Sequence, residues 1–72
     1  MALVTIHLID RDSSAIHTES FYITEDLRES VEEFEVHSPF GRHRIEWETD
    51  DELTSMDYYL LGEAGLDIDN EK

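Results

Sequence analysis

Two segments near the start of the chain have the apolar pattern of β-strands. Residues 3–9 read LVTIHLI and residues 15–24 read AIHTESFYIT, and both are rich in β-branched, aliphatic and aromatic types. The polar cluster DRDSS at residues 10–14 separates them and has the composition of a turn. The pattern therefore predicts a β-hairpin in the first third of the chain.

The segment after this hairpin supports two interpretations, and the first is a helix. Thr24 precedes a run of acidic residues, as a helix N-cap does. Leu27, Val31 and Phe34 share one face of a helix, with the acidic residues on the opposite face. This interpretation predicts a helix over residues 25–35.

The second interpretation starts from the sequence SPFG at residues 38–41, which is typical of a type I turn. Counting outward from this turn predicts a second hairpin, in which Glu35 and Arg44 form a cross-strand ion pair. The same register places Glu33 opposite Glu46, an unfavourable like-charge pair. We favour the second hairpin, because turn chemistry and alternation together account for more residues than the helical pattern does.

A further helix is predicted near the end of the chain. Thr49 and Glu52 have the spacing of a capping box, and Gly62 is a candidate C-cap. The helix then spans about residues 50–61. Its apolar face is predicted to consist of Leu53, Met56 and Leu60.

These elements predict a single α+β domain over residues 1–72. The favoured architecture is a small antiparallel sheet of about four strands in two hairpins, with a short linking helix at residues 25–31. The C-terminal helix packs on one face of this sheet. The alternative is a ββαβα arrangement with three strands. Residues 64–72 are expected to form a frayed acidic tail.

The net charge of the chain says more about its partners than any sequence motif does. The 72 residues include 19 Asp and Glu but only five Lys and Arg, so the formal net charge is -14. Such a charge opposes folding by self-repulsion and attracts positive partners. Direct binding to nucleic acid or to an anionic membrane is not expected, because both need Lys and Arg. The absence of cysteine excludes disulfides and thiolate metal sites.

No combination of residues predicts catalysis. The four histidines are not spaced as convergent metal ligands, and the three glycines form no phosphate-binding loop. We therefore expect no catalytic residues, no cofactor and no metal, and a protein that is not an enzyme. The first residues have no signal-peptide pattern, which favours a cytoplasmic location.

The acidic residues form two clusters that are candidates for partner binding. Carboxylates one helical turn apart are separated by about 5–6 Å, a distance comparable to the phosphate spacing of a nucleic-acid strand. One tyrosine beside the second cluster is a candidate interface anchor. The candidate partner-binding residues are Glu25, Asp26, Glu29, Glu32 and Glu33 from the first cluster, Glu46, Glu48, Asp50, Asp51, Glu52 and Asp57 from the second, and Tyr58.

In size and charge over its whole length, the chain resembles the small acidic inhibitors made by phages and mobile elements, including DNA-mimic anti-restriction proteins and some anti-CRISPR proteins. The resemblance implies a partner: the basic nucleic-acid groove of a host defence complex, such as a CRISPR effector or a restriction enzyme. It implies inhibition by mimicry of phosphate charge and, for a phage-encoded protein, a location in the host cytosol. We expect a monomer or a small homo-oligomer. The alternatives are a haloadapted small protein and an antitoxin-like regulator of a basic partner protein.

Overall fold

The order of elements along the chain is ββαβα. The computed structural model describes residues 2–66. Its elements are β1 (Leu3–Asp10), β2 (Ile16–Tyr22), α1 (Leu27–Val36), β3 (His43–Glu48) and α2 (Ser55–Glu63). The three strands form one antiparallel sheet in the order β2-β1-β3. The predicted α+β class is confirmed, and the described sheet has three strands instead of about four.

The sheet has one buried face, which β1 defines. Side chains alternate between the two faces of a strand, and Val4, Ile6 and Leu8 are fully buried on one of them. Both helices contribute to the same hydrophobic cluster. The apolar residues that they add are Leu27, Val31, Phe34 and Leu61. We call this side of the sheet the core face and the opposite side the open face.

The favoured second hairpin is wrong, and the helical interpretation of residues 25–35 is close to the structure. Residues 27–36 form α1, and the turn at residues 38–41 joins this helix to β3. Burial of the helical stripe decides between the two patterns, because Phe34 packs in the core while Val36 is 78% exposed. Glu35 Oε2 lies 3.3 Å from His43 Nε2, so Glu35 does not form the predicted ion pair with Arg44.

The second helix begins five residues later than predicted. Its capping box is formed by Thr54 and Asp57 and not by Thr49 and Glu52. Thr54 Oγ1 accepts the Asp57 N–H at 3.2 Å, and Asp57 Oδ2 accepts the Thr54 N–H at 2.9 Å. The face of the helix that is buried therefore differs from the predicted one, and Leu61 is its buried residue. Of the predicted apolar face, Leu53 and Leu60 are half-buried and Met56 is 62% exposed.

A glycine stops α2, but it is Gly65 and not Gly62. Gly65 has a φ of 83° and follows the C-cap residue Ala64. The Leu66 N–H donates to the Leu61 carbonyl at 3.1 Å, and the Gly65 N–H donates to the Gly62 carbonyl at 3.0 Å. These two bonds form a Schellman motif.

This motif returns the chain to the core. Leu66 is only 3% exposed and belongs to the hydrophobic cluster with Leu61. Of the predicted frayed tail, Leu66 is therefore buried in the core and Ala64 packs partly against it. The remainder of that predicted tail, residues 67–72, lies outside the described residues.

Gly65 provides a test of how α2 is held. We expect Gly65→Ala to lower the free energy of unfolding by about 1 kcal/mol, because a Cβ disfavours the left-handed conformation. No atom lies within 4 Å of the position that the new Cβ would take, so the loss would be conformational and not steric. Gly41→Ala is the matched control, since that site has equal space and no positive φ. Urea denaturation of both variants measures the difference, and equal midpoints would contradict the account.

Candidate functional site

Strand direction brings two acidic connections to one end of the sheet. Leu3, at the start of β1, pairs with Tyr22 at the end of β2, and Thr5 pairs with Glu48 at the end of β3. The connections to both helices, residues 23–26 and 49–54, therefore leave from this same end. We call this region the acidic end, and it consists of Glu25, Asp26, Glu48, Asp50, Asp51, Glu52 and Asp57.

The acidic connection between β3 and α2 is fixed onto the first residue of β1. Thr49 Oγ1 donates to the Leu3 carbonyl at 2.6 Å, and the Leu3 N–H donates to Asp51 Oδ2 at 2.8 Å. The Asp51 N–H in turn donates to Thr49 Oγ1 at 3.1 Å. Sequence reasoning assigned Thr49 to a helix cap, and its role as a positioning residue has no local signal because Leu3 is 46 residues away. The three bonds hold Asp50 and its neighbours in one place.

Four carboxylates of the acidic end are free of other described residues. The side chains of Glu25, Asp26, Asp50 and Glu52 are exposed and form no hydrogen bond or ion pair within residues 2–66. The N-termini of α1 and α2 both lie here, and their partial positive charges favour acidic neighbours. These carboxylates are therefore available to a partner without the loss of an internal bond.

The other members of the acidic end have internal partners. Glu48 Oε2 lies 2.9 Å from His7 Nε2, on the open face. Asp51 accepts the Leu3 N–H, and Asp57 completes the capping box of α2. These three residues shape the acidic end in addition to adding charge to it.

Positive residues collect at the opposite end of the sheet. Arg11 follows β1, and its N–H donates to the carbonyl of Arg42 at 3.1 Å, just before β3. Arg44 is bonded to Glu46. Among residues 2–66 only Arg28 lies elsewhere, in the first turn of α1, where it pairs with Glu32 at 3.4 Å. The sequence has no Lys, Arg or His between residues 45 and 71, so the charge of the chain is segregated.

Asp10 is the acidic residue with a resolved pKa shift, and it belongs to the opposite end. Ser13 Oγ donates to Asp10 Oδ2 at 2.6 Å, and the Asp12 N–H donates to Oδ1 at 3.3 Å. These hydrogen bonds, the Ser13 bond most of all, lower the pKa of the Asp10 carboxyl. Both carboxylate oxygens of Asp10 therefore accept hydrogen bonds within the β1–β2 turn.

The remaining candidates lie outside the acidic end. Glu29, Glu32 and Glu33 are on the exposed side of α1, which covers the core face. Glu46 is on the open face, since it pairs with His7 across the β1–β3 ladder. The two predicted clusters are therefore divided between opposite faces of the sheet and meet only at the acidic end. Tyr58 is 40% exposed and follows Asp57 in α2.

No protein-family description, curated protein or solved structure matches the chain. Within residues 2–66, no three His, Cys, Asp or Glu side chains are grouped so that they could hold a metal ion. No helix in that range is long and apolar enough to cross a membrane. The geometry of the acidic end and the distribution of charge are therefore the basis for any functional assignment.

The role of Asp51 in fixing the acidic end can be measured. We expect Asp51→Ala to lower the free energy of unfolding by about 1 kcal/mol, the usual contribution of one hydrogen bond. Asp50→Ala is the matched control, because it removes the same charge from the adjacent residue and breaks no bond of the described structure. Urea denaturation of the two variants gives the comparison. A control that is destabilised as much as Asp51→Ala would exclude this role for the Asp51 bond.

Proposed function

We propose that the protein is an acidic inhibitor that binds the basic nucleic-acid groove of a host defence complex, such as a CRISPR effector or a restriction enzyme, and blocks nucleic-acid binding there. The observation that carries the proposal is the segregation of charge. Seven carboxylates gather at the acidic end, and three of the four described arginines lie at the other end of the sheet. Acids presented in this way mimic phosphate charge.

The segregated charge affects the orientation of the protein during binding as well as its affinity. A chain of net charge -14 is attracted to a positive groove, and segregated charge turns its acidic end toward that groove during approach. Carboxylates accept strong charge-assisted hydrogen bonds from Arg, which is also the phosphate-binding residue of such grooves. The free side chains of Glu25, Asp26, Asp50 and Glu52 can form these bonds at once.

The exposed side of α1 extends the same surface away from the acidic end. The ten residues of α1 form a rod about 15 Å long. Glu29 and Glu33 are one turn apart, and Glu32 lies beside them, which gives side-chain separations of about 5–6 Å. A groove that binds the acidic end could therefore continue along α1, as it would follow consecutive phosphates.

The proposal predicts that charge position, and not total charge, determines binding. The triple variant Glu25→Gln, Asp50→Asn, Glu52→Gln should lose most of its capture of nucleic-acid-binding proteins. The control variant Asp12→Asn, Glu46→Gln, Glu63→Gln has its substitutions outside the acidic end and should keep it. Each variant changes the net charge by +3, from -14 to -11. Thermal unfolding confirms that both remain folded.

The measurement uses the immobilised protein as bait in a bacterial lysate, with elution in a salt gradient and competition by duplex DNA. The expected result is capture of a nucleic-acid-binding complex that leaves with rising salt and is displaced by DNA. Equal capture by the two triple variants would show that the acidic end is not the binding surface. Capture that is indifferent to DNA would favour the antitoxin-like regulator, which binds a basic partner at some other surface.

The salt dependence of folding distinguishes the proposed inhibitor from a haloadapted protein. Both would have the same excess of acidic residues. We expect the protein to be folded in about 10 mM NaCl. Its urea midpoint should rise as the NaCl concentration is increased to about 0.5 M. The Debye length falls from about 30 Å to less than 10 Å over this range, which screens the self-repulsion. Circular dichroism measures the transition. A chain that unfolds in dilute buffer and folds only in molar salt would support haloadaptation instead.

A further inference from the structure

β2 is an edge strand with a row of outward-facing backbone groups. The Asp10 N–H donates to the Ala15 carbonyl at 2.8 Å and the Ile23 N–H to the Ala2 carbonyl at 2.9 Å, which fixes the phase of the β1–β2 ladder. Hydrogen-bonded pairs alternate with non-bonded pairs in an antiparallel ladder. The N–H and C=O groups that point away from β1, and that meet no other described residue, belong to Ile16, Thr18, Ser20 and Tyr22.

The side chains of β2 leave this edge open. Thr18 Oγ1 lies 2.8 Å from His7 Nδ1, and Ser20 Oγ lies 3.1 Å from Thr5 Oγ1, so both hydroxyls are held on the open face. β2 contains neither Pro nor Lys, which often protect an edge strand from pairing. Its one acidic residue is Glu19. The edge is therefore sterically accessible, and its selectivity depends on charge.

A groove of about 280 Å³ lies between β2 and α1, beside this edge. Phe34 and Phe21 are among its lining residues. Phe34 stacks on His17 with ring centroids 5.1 Å apart and meets Phe21 edge-on at 5.4 Å. Glu19 on β2, Glu33 on α1 and the neighbouring His37 after it also line the groove, and neither glutamate forms an ion pair within residues 2–66. Two free carboxylates beside aromatic side chains suit a cationic side chain, through charge-assisted hydrogen bonds and apolar contact of its stem.

We propose that β2 accepts an extended basic segment of a partner protein as an additional strand, with one Arg or Lys side chain in the groove between Glu19 and Glu33. Main-chain hydrogen bonds along β2 provide affinity, and the groove provides specificity. Every second side chain of the added strand faces the groove side, so the recognised segment has basic residues at alternate positions. The inference goes beyond the proposed function, because this surface is separate from the acidic end and shares only Glu33 with the extension of the acidic surface along α1.

Charge also decides against two other arrangements. A second copy of this chain paired antiparallel about the centre of β2 would bring two Glu19 side chains together and would join two molecules of net charge -14. The outer edge of β3 is the other edge of the described sheet, but Glu46 and Glu48 on β3 are already bonded to Arg44 and His7, and Arg42 just before β3 would repel a basic segment.

Fluorescence anisotropy with a labelled peptide of sequence Arg-Val-Arg-Val-Arg-Val-Arg tests the inference. It should bind about tenfold more tightly than the block peptide Arg-Arg-Arg-Arg-Val-Val-Val, which has the same composition, because only alternation fits a strand beside the groove. Glu19→Gln with Glu33→Gln should weaken binding of the alternating peptide about tenfold. The control Asp12→Asn with Glu63→Gln changes the net charge equally and should alter binding less than about twofold.

A second arm tests main-chain pairing and leaves the protein unchanged. In an added strand, every second N–H group faces β2. One peptide is N-methylated at its three Val residues and another at its last three Arg residues. One of these two peptides should fail to bind, and the other should bind normally. Amide hydrogen exchange should slow at Thr18 and Ser20 when the unmodified peptide binds. The inference is overturned if both methylated peptides bind normally, if the block peptide binds equally well, or if sedimentation shows a dimer of this chain that the peptide dissociates.

Discussion

The burial of Val4, Ile6 and Leu8 in the middle strand is the constraint on which the rest of the structure depends. Each fully buried side chain of this size contributes about 1.5–3 kcal/mol, while a domain of 72 residues is stable by only about 4–11 kcal/mol. β1 is the only described strand with a neighbour on both sides. Because both helices pack on its core face, its direction also determines where their N-termini and the acidic connections lie.

The negative charge is accommodated by position and not by neutralisation. The ion pairs of the described residues involve side chains that are exposed or partly exposed, and such pairs contribute little to stability. Hydrogen bonds to the backbone do more at the acidic end, where Thr49 and Asp51 fix the connection onto Leu3. The neighbouring carboxylates consequently keep their capacity to accept bonds from outside the molecule, which an extensive internal ion-pair network would have used.

Local patterns were sufficient for the β1–β2 hairpin, whose strands and turn are contiguous in the sequence. They failed where two patterns were equally good. Residues 31–36 fit both a helical stripe and a strand, and the burial of Phe34 together with the exposure of Val36 separates the two. Thr49 and Thr54 each precede an acidic residue by three positions, and Thr49 is unavailable as a cap because Leu3 binds it.

The candidate site could be predicted in composition but not in arrangement. The acidic residues are visible in the sequence, yet their gathering at one end follows from β3 pairing with β1, for which residues 43–48 have no local signal. The predicted second hairpin would have paired β3 with residues 33–36 instead, and the relation of the acidic connections to Leu3 would have been lost. The free edge of β2 was missed for the same reason, since strand order is a property of the whole sheet.

A sheet whose edge strand β2 meets no further described strand is prone to pair with copies of itself at that edge, and the charge of the chain opposes this. Two carboxylates about 5 Å apart in water repel each other by about 0.8 kcal/mol, close to the net contribution of one backbone hydrogen bond, about 1 kcal/mol. Glu19 alone therefore offsets about one bond of a paired edge, and the remaining net charge of each chain adds to the repulsion. The same sign of charge attracts a cationic strand. In the binding mode that we propose, an edge without steric protection therefore favours a basic segment over a second copy, so that acid excess serves as a filter as well as a source of affinity.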